Sequence, residues 1–457
     1  MTIPKEIPLF LFTYNCNKRE LNHDLFIQKV VESFPTDLAA LYVFGLEELC
    51  PILDGSFHDI AHKHMIRFNE VFLHSLRKKY GHNDHRFQTI AMHHIGATGL
   101  IVITPFPSKF HSIKKAQSSC GSGYSSLKGA AGVRLTYAPD GKYANDNSVQ
   151  LTFANAHLSA YEGEFYYRRR NDNVTTIMRS LDFGDGYGLL KDGSHTFFMG
   201  DLNYRTTKNF DPTSDANKRL ISLSDQSLVT NESVEELVKD CDELTWAIEN
   251  GQIFTGFTEA CIDFQPTYKY HVNTAVYNSK RSPSWCDRIL YQMTYEDSDD
   301  EDQVVMLRLR KDSNSQNKRK RLPIIHEYNS IKSLLQSDHQ PVFLHITVPF
   351  TAPKSIVSSS GYLQILPNEN ANRHLHHNEV NVDGLILSRM VDADEPIGGP
   401  TQIYMRPTKY DYIIQNYVRL VPDFLIGYGL WFTITRTGRL ILLVLALVLG
   451  GAYRYLV

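Results

Sequence analysis

The sequence lacks most of the features that mark secreted, zinc-binding or nucleic-acid-binding proteins. Its 457 residues include 6 cysteines, none of them in a CxxC pair, which argues against a disulfide framework or a structural zinc site. The N-terminus has no long apolar stretch after a basic start, so we expect no secretory signal. The net charge of −3 gives no overall positive field for nucleic acid. Any anionic ligand must therefore be bound by a local group of basic residues.

Short apolar runs of β type dominate the first 350 residues, and helical patterns such as LFIQKVVESF fall between them. The β-type runs are PLFLFTYN, LYVFGLEE, GLIVITPF, AAGVRLTY, VQLTFANAHL, HTFFMGDLN, WCDRILYQM and PVFLHITVPF. Interleaved strands and helices predict an α/β or α+β fold. Several runs are apolar on both faces, which is typical of strands that are covered on each side.

The C-terminus carries a long apolar run from Leu440 to Val457. An 18-residue helix spans about 27 Å, close to the hydrocarbon thickness of a thin internal membrane. A span that began at Leu425 would place Arg436 and Arg439 in the bilayer, at a cost of about 2.5–3.5 kcal/mol each. A buried core helix is the alternative, but the run has no polar stripe. We therefore predict an anchor region at 425–457, with a tail anchor over 440–457 and the rest of the chain in the cytosol.

Two polar segments interrupt the globular pattern. Residues 296–321 join the acidic run EDSDDEDQ to the basic run NKRKR, and we interpret them as a solvated insertion. Residues 351–424 are polar and irregular, which is typical of a linker. The sequence therefore divides into a folded domain at 1–350, a linker at 351–424 and the anchor region.

The segment HTFFMGDLNYR places a carboxylate and an amide directly after an apolar run. In an extended strand, residues two apart point to the same face. Asp201 and Asn203 would then present one potential base and one amide to the same side of a sheet edge. Gly200 would let the backbone approach a neighbour closely. Asp and Asn are also common turn residues, so this pair alone does not define a site.

The same pattern recurs at other predicted strand ends. The polar residues at these positions are Asn15, Glu48, Asn155, His157, Asp287, Asp338 and His339. Each one alone could be a cap or turn residue. Together they bring oxygen ligands and imidazoles to several strand ends, as expected of a phosphoryl-transfer site built on a sandwich.

Three motifs carry a resemblance to a known family. GDLNYR, PSWCDRIL and SDHQPV together resemble the inositol polyphosphate 5-phosphatases of the DNase I-like superfamily, and TYN, GLEE, SLKGAAGVRL, NAHLSA and FQPTYKY occur in the expected order. The resemblance covers roughly residues 4–350. It implies an α/β (α+β) four-layer sandwich of two packed mixed β-sheets flanked by helices, here followed by the C-terminal transmembrane helix. With that anchor the chain resembles a tail-anchored fungal member of the family.

The resemblance implies a Mg²⁺ cofactor. Glu48 resembles the principal metal ligand, with Asn15 nearby and Asp338 on the metal side. Oxygen donors of this kind suit a hard cation.

The resemblance also implies the catalytic roles. Asp201 would orient or deprotonate the attacking water, and Asn203 would hold a water or a phosphate oxygen. His339 would donate to the phosphate oxygens and Asp287 would orient it, since a carboxylate partner favours the imidazolium form. His157 would add a further phosphate contact.

Substrate-binding residues follow from the same resemblance. Tyr268, Lys269 and Arg281 match the positions that hold the neighbouring 4-phosphate in the family, and Lys128 and Arg205 are further candidates. A surface loop with ordinary charges is the alternative, but three phosphate-binding residue types flank a catalytic motif.

The sequence departs from the family pattern at several positions. Glu47 replaces the usual Gln of the GxQE motif, which predicts an extra negative charge beside the metal. Leu127 replaces the usual Asn of NKG, His271 stands where Asp follows TYKY, and Ser279 stands where a basic residue is expected. The hydrolytic residues are retained, so these changes bear on substrate preference.

The implied function is Mg²⁺-dependent hydrolysis of the 5-phosphate of phosphatidylinositol 4,5-bisphosphate, giving the 4-phosphate lipid. The implied partners are a phosphoinositide headgroup and a membrane, with no nucleic acid, for a monomer anchored in the endoplasmic reticulum with a cytosolic catalytic domain. The alternatives are another DNase I-like phosphodiesterase, such as a sphingomyelinase or nuclease, and an inactive phosphoinositide-binding adaptor. An Asp201→Ala variant separates an enzyme from an adaptor. The variant of an enzyme loses turnover and with it its cellular effect, whereas the variant of an adaptor keeps that effect.

Overall fold

All eight apolar runs that we predicted as strands form strands in the structure. The structure is a computed structural model. It describes residues 6–81, 86–141, 147–206, 231–278, 280–295, 322–364 and 403–456. Over these residues, two six-stranded sheets pack face to face through a shared apolar core. The predicted fold class, two packed mixed sheets flanked by helices, is confirmed.

The first sheet contains the N-terminal strand. Its strands are β1 (Glu6–Asn15), β2 (Leu41–Glu47), β3 (Gln88–Ile95), β4 (Thr98–Thr104), β11 (Ile324–Ser330) and β12 (Val342–Pro349), in the order β11-β12-β1-β2-β4-β3. Strands β1 and β2 are parallel and are joined by helix α1 (His23–Ser33). The other neighbours in this sheet are antiparallel.

The second sheet repeats this arrangement. Its strands are β5 (Phe110–Ser119), β6 (Gly129–Tyr137), β7 (Val149–His157), β8 (Ser194–Asp201), β9 (Phe257–Glu259) and β10 (Asp287–Gln292), in the order β5-β6-β7-β8-β10-β9. Strands β7 and β8 are the parallel pair, and helix α4 (Glu164–Ser180) joins them. The other pairings are antiparallel.

Helices cover the outer face of each sheet, which gives four layers. The remaining helices of this body are α2 (Ile52–Gly55), α3 (His58–Tyr80), α5 (Asn231–Cys241) and α6 (Glu243–Glu249). Helices α1 and α3 bury an aromatic-rich stripe against the first sheet, where the rings of Phe44 and Phe72 stack at 3.9 Å. Helices α4 and α6 cover the second sheet. Both faces of the central strands are therefore apolar, as their sequences predict.

The C-terminal part of the chain forms further elements. They are β13 (Tyr362–Leu363), β14 (Ile403–Tyr404), α7 (Lys409–Ile413), a π-helical turn (Ile414–Val418), α8 (Leu420–Ile434) and α9 (Arg436–Leu456). Within α9, the 20 residues Arg436–Tyr455 have a mean hydropathy of 1.5, and only 6% of that window is buried. The helix is therefore long and apolar enough to cross a membrane, and its exposure rules out a buried core helix.

The predicted insertion at 296–321 lies outside the described residues. Of the predicted linker at 351–424, residues 403–424 are helical for much of their length and pack on the sandwich through hydrogen bonds to residues about 300 positions earlier. The domain boundaries themselves stay a prediction.

Candidate active site

The polar strand ends meet at one edge of the sandwich because of the strand directions. The parallel pair β1 and β2 ends at Asn15 and Glu47, which are register partners, and the parallel pair β7 and β8 ends at His157 and Asp201, which are also partners. Strand β10 runs antiparallel to β8 and begins here, with Asp287 opposite Asp201. Carboxyl ends of parallel strands are the usual place for a ligand site in such sheets.

Asp201 and Asn203 lie close together, but not through the strand alternation that we predicted. Strand β8 ends at Asp201, and Asn203 has a left-handed backbone (φ +57°). Its N–H donates to Asp201 Oδ1 at 3.1 Å, so a turn holds the pair. Gly200 (φ +133°) is required before that turn, since a Cβ there would lie 2.0 Å from the carbonyl oxygen of Ala156.

Asp201 is the most heavily contacted carboxylate of this edge. It is 1% exposed and accepts a hydrogen bond from Asn15 Nδ2 at 2.8 Å, while its Oδ2 lies 3.3 Å from His157 Nε2 and 3.9 Å from His339 Nε2. Burial alone would raise the pKa of Asp201, but His339, His157 and Lys128 lower it below the ordinary value. Asp201 is therefore an ionised carboxylate that can accept a proton or a hydrogen bond from water.

Asp287 and His339 form a buried pair beside it. His339 Nδ1 lies 2.9 Å from Asp287 Oδ2, which also accepts from Thr267 Oγ1 at 2.7 Å. Burial would lower the pKa of His339, but Asp287 and Asp201 outweigh it and raise the pKa to about 10. Burial raises the pKa of Asp287, and the positive charge of His339 opposes that rise. His339 is therefore a fixed cation whose Nε2–H can donate to an anion.

Glu47 and Glu48 are neighbours with opposite environments. Glu47 is fully buried, and burial, together with Asp287 and Asp201, raises its pKa well above the ordinary value. Burial and the two neighbouring carboxylates therefore oppose the extra negative charge that we predicted beside the metal, and Glu47 Oε1 accepts a hydrogen bond from Thr13 Oγ1 at 3.0 Å.

Glu48 lies just after the end of β2 with φ +46° and pairs with Lys18 at 2.8 Å. Burial opposes its ionisation, but His157, Lys18 and Lys128 lower its pKa. Glu48 is thus an anionic side chain surrounded by positive charge.

The predicted substrate-binding residues lie in loops near the buried residues Asp201, Asp287 and His339. Lys128 contacts His157, and Lys269 pairs with Asp338 at 2.8 Å. The ring of Tyr268 lies 4.5 Å from the ring of His339. These contacts place three of the predicted substrate-binding residues next to His157, Asp338 and His339.

The other two are placed differently. Arg205 is 2% exposed, binds Asn203 Oδ1 at 2.6 Å and lies 4.6 Å from the ring of Tyr268, while its Nη1 has no hydrogen-bond partner among the residues that the structure describes. Arg281 is exposed and lies 5.9 Å above the ring of Tyr161. Ser279 falls outside the described residues.

The oxygen donors fit a divalent cation. Among the described residues, ligand atoms of Asp201, Asp287 and His339 lie within 4.8 Å of one another. Because His339 is held as a cation, the available donors are oxygens, and no group in the described part of the chain hydrogen-bonds the buried Asp287 Oδ1. Hard cations prefer such donors.

The three predicted metal ligands are distributed around this group. Asn15 donates to Asp201, Glu48 is ionised beside Lys18, and Asp338 has one oxygen taken by Lys269. Their ligand role stays a prediction.

Sequence reasoning missed several supporting residues. Lys18 neutralises Glu48, Thr267 donates to Asp287, and Ser337 donates to the carbonyl oxygen of Asn15 at 2.7 Å and accepts the His339 N–H at 3.2 Å. Ser337 is the first residue of the SDHQPV motif, and serine often forms turns through its hydroxyl. Its role could therefore have been predicted from the sequence. Lys18 could not, because its pairing depends on a left-handed turn at Asn17 and Lys18.

A family model described as endonuclease/exonuclease/phosphatase family 2 matches residues 12–345. The chain belongs to this family. All of the site residues above fall within the matched range. The relatives described next confirm the resemblance of this chain to the inositol polyphosphate 5-phosphatases.

Two relatives come from Saccharomyces cerevisiae. Polyphosphatidylinositol phosphatase INP53 is 25% identical over 300 residues, which is 64% of this chain and 24% of the relative. Phosphatidylinositol 4,5-bisphosphate 5-phosphatase INP51 is 25% identical over 413 residues, or 88% of this chain and 38% of the relative.

A plant relative and a solved structure complete the comparison. Type IV inositol polyphosphate 5-phosphatase 11 of Arabidopsis thaliana is 29% identical over 226 residues, or 49% of this chain and 53% of the relative. The alignments thus span about a quarter to a half of these relatives. The synaptojanin 5-phosphatase domain, solved with inositol (1,4)-bisphosphate and a calcium ion, matches with a TM-score of 0.55 at 22% identity, covering 76% of this chain and 86% of that domain. This likeness shows the fold.

Proposed function

We propose that the protein is a Mg²⁺-dependent phosphoinositide 5-phosphatase that converts phosphatidylinositol 4,5-bisphosphate to the 4-phosphate lipid. The observation that carries the proposal is the buried group of Asp201, Asp287 and His339, which places a base beside a fixed cation at one sheet edge. The relatives, whose names specify phosphoinositide or inositol polyphosphate 5-phosphatases, support the substrate class.

In this reaction Asp201 accepts the proton of a water that attacks phosphorus. Asn15, which donates to the same carboxylate, fixes its orientation. The new bond joins the water oxygen to phosphorus, the bond between phosphorus and the ring oxygen breaks, and the ring oxygen leaves as a hydroxyl after it takes a proton from solvent water. Asn203, held by Arg205, orients the water or a phosphate oxygen.

His339 donates its Nε2–H to the phosphate oxygens and stays protonated because Asp287 compensates its charge. His157 Nε2 lies 3.3 Å from Asp201 Oδ2, and the Lys128 ammonium, which contacts His157, adds a positive charge beside it. Fixed donors at developing charge are the largest contribution in such reactions.

Glu48, Asn15 and Asp338 would hold the Mg²⁺ ion. When bound, it would neutralise charge on the phosphate and on the leaving ring oxygen.

Tyr268, Lys269 and Arg281 hold the 4-phosphate. These residues lie in one loop, between β9 and β10, and Lys269 and Arg281 are cations that can reach solvent. The C-terminal helix α9 anchors the protein in the endoplasmic reticulum membrane, with the catalytic body on the cytosolic side. Its length and exposed apolar surface support this part of the proposal.

The test is a panel of purified phosphoinositides and soluble inositol phosphates, assayed with and without EDTA. We expect phosphate release from substrates that carry a 5-phosphate, with the 4,5-bisphosphate lipid preferred, and loss of release with EDTA. Equal release from all isomers regardless of metal would contradict the proposal. Cleavage of sphingomyelin or DNA would favour a phosphodiesterase, and lipid binding without turnover would favour an adaptor.

A further inference from the structure

The segment before the candidate membrane span is bound to the catalytic body at several points. Arg179 of α4 pairs with Asp411 of α7 at 2.9 Å, and Asp411 also closes a capping box with Thr408. Gln415 is only 6% exposed, although it lies about 20 residues before α9 along the chain. This part of the chain is therefore not a free tether.

The main target of these contacts is the connection between β5 and β6. It runs from Ser119, the last residue of β5, to Lys128, and we call residues 119–128 the Lys128 loop. Gln415 Oε1 accepts the N–H of Ser119 at 2.7 Å and its hydroxyl at 2.9 Å, and Gln415 Nε2 donates back to the Ser119 carbonyl oxygen at 3.2 Å. One side chain thus satisfies every polar group of the first residue of this loop.

The other end of the loop is held by α8 and the residue before it. Asp423 accepts the N–H of Ser126 at 2.6 Å and its hydroxyl at 2.5 Å. Arg419 donates to the same hydroxyl at 2.9 Å. Ser126 is two residues before Lys128, whose ammonium contacts His157. Asp423 therefore fixes the backbone two residues before Lys128, and the Lys128 carbonyl oxygen accepts the N–H of Cys120 at 2.9 Å.

Helix α8 also contacts the segment that follows Glu48. Gly427 is buried there, and a Cβ at this position would lie 3.0 Å from Ser56 Cβ and 3.3 Å from the ring of Phe57. Tyr428 packs edge-on against Phe57 at 5.5 Å. One helix thus contacts both the β5–β6 connection of the second sheet and the junction of α2 and α3 beside the first sheet.

The side of α8 that Tyr428 borders is apolar and mostly exposed. Val421, Phe424 and Leu425 are each at least 60% exposed. Leu425 follows Asp423 by two residues, about 200° around the helix, so it points away from the body. A single residue, Thr435, separates α8 from α9. Continuity with the candidate span identifies a lipid surface as the occupant of this face.

We propose that residues 408–434 form a juxtamembrane clamp, in which α8 lies on the membrane surface and Asp423 positions the Lys128 loop over the active site. The proposal rests on the proposed function for its substrate. The anchor would then do more than localise the protein, because the same helix that meets lipid sets the geometry of a substrate-binding loop. Asp423 is a positioning residue, since it acts through Ser126 and Lys128.

The first test uses the full-length protein in lipid nanodiscs and a soluble inositol trisphosphate, so that access to lipid does not enter. Asp423→Ala should lower kcat/KM by about 10- to 100-fold, since small displacements of a binding group cost this much. The kcat/KM of D423N, which keeps one acceptor oxygen, should lie between that of the wild type and that of D423A. The control is Asn416→Ala, an exposed residue of the same segment whose amide donates to the carbonyl oxygen of Tyr412 at 2.8 Å.

Hydrogen–deuterium exchange provides a readout that does not depend on activity. In Asp423→Ala, amides 119–128 should exchange about tenfold faster or more, while N416A should match the wild type. Unchanged exchange and kinetics in D423A would overturn the clamp. If the wild-type protein hydrolysed none of the substrates, the proposed function would fail, and the exchange result would still decide the clamp.

The second test addresses the lipid face. Leu425→Glu should lower the ratio of activity on vesicle-bound 4,5-bisphosphate lipid to activity on the soluble substrate by about tenfold, because it places a charge in the interface. Leu425→Phe should keep the ratio. An unchanged ratio in L425E would show that this face does not meet lipid.

Discussion

The floor and the rim of the site are built in different ways. The floor consists of Asp201, Asp287, His157 and His339 on strand ends, all at most 4% exposed and paired with one another. The rim residues Lys128, Lys269 and Arg281 lie in loops and are partly or fully exposed. Buried, mutually paired charges keep fixed protonation states, whereas exposed charges can exchange a protein partner for a ligand. The floor therefore suits the chemistry and the rim suits recognition.

The largest expected effect comes from the floor. Asp201→Asn should lower kcat by about 10²–10⁴-fold, because the amide cannot accept the proton of the attacking water. The measurement is phosphate release at saturating substrate, with the melting temperature as a check on folding. Near-normal turnover by a folded variant would remove Asp201 from the proposed chemistry.

The second prediction concerns the charge of His339. Its pKa is raised from 6.5 to about 10, so the stabilisation from its charge is complete below pH 6.5 and is lost as the pH rises through about 10. Asp287→Asn removes the main cause of this rise. The alkaline limit of the kcat/KM profile should then move from near pH 10 toward neutrality.

Thr267→Ala is the matched control, because it removes a hydrogen bond to Asp287 but no charge. Its alkaline limit should stay near that of the wild type. A wild-type limit already near pH 6.5 would contradict the fixed imidazolium.

The rim gives smaller and more selective effects. Lys269→Ala and Arg281→Ala should each raise KM for a substrate with a 4-phosphate by about tenfold, the loss expected from one charge-assisted hydrogen bond. A substrate without the 4-phosphate should be hydrolysed as before. Lys63→Ala, at an exposed lysine of α3, is the control. Equal losses on both substrates would place these residues in the chemistry and break the distinction between floor and rim.

The smallest effect is expected at Glu47, which ends β2 beside the floor. Glu47→Gln removes a carboxyl group whose ionisation is opposed by burial and by Asp287 and Asp201, so activity should change little, whereas Glu48→Gln should weaken metal binding. The folded pKa of Glu47 is raised, so its contribution to stability is complete below its unfolded value and is lost as the pH rises toward the folded value. E47Q should therefore gain in melting temperature over the wild type as the pH increases from 5 to 8. A variant as impaired as E48Q would show that Glu47 is ionised.

Much of this site follows from local sequence, because apolar runs define strands and strand ends define positions at an edge. The residues Asp201, Asp287 and His339 were predicted on that basis and lie together. The turn at Asn203 was not predicted, because a left-handed residue breaks strand alternation. The raised pKa of Glu47 depends on burial and on Asp201 and Asp287, which come from distant segments, so no single segment predicts it.

The C-terminal contacts show the same limit. Asp423 binds Ser126 across 297 residues of sequence, and the chain before it, as far as about Tyr417, is polar and irregular enough to resemble a linker. Local composition reports whether a segment can fold alone, but not whether a distant surface offers hydrogen-bond partners. The packing of 403–434 on the body was therefore outside the reach of sequence patterns.

The most direct test of the central claim is hydrolysis of the 4,5-bisphosphate lipid in water enriched in oxygen-18, with Asp201→Asn in parallel. If a water activated at Asp201 attacks phosphorus, the released phosphate carries one labelled oxygen, the inositol product carries none, and the variant releases almost no phosphate. Label in the inositol ring, or equal release by the variant, would contradict the account.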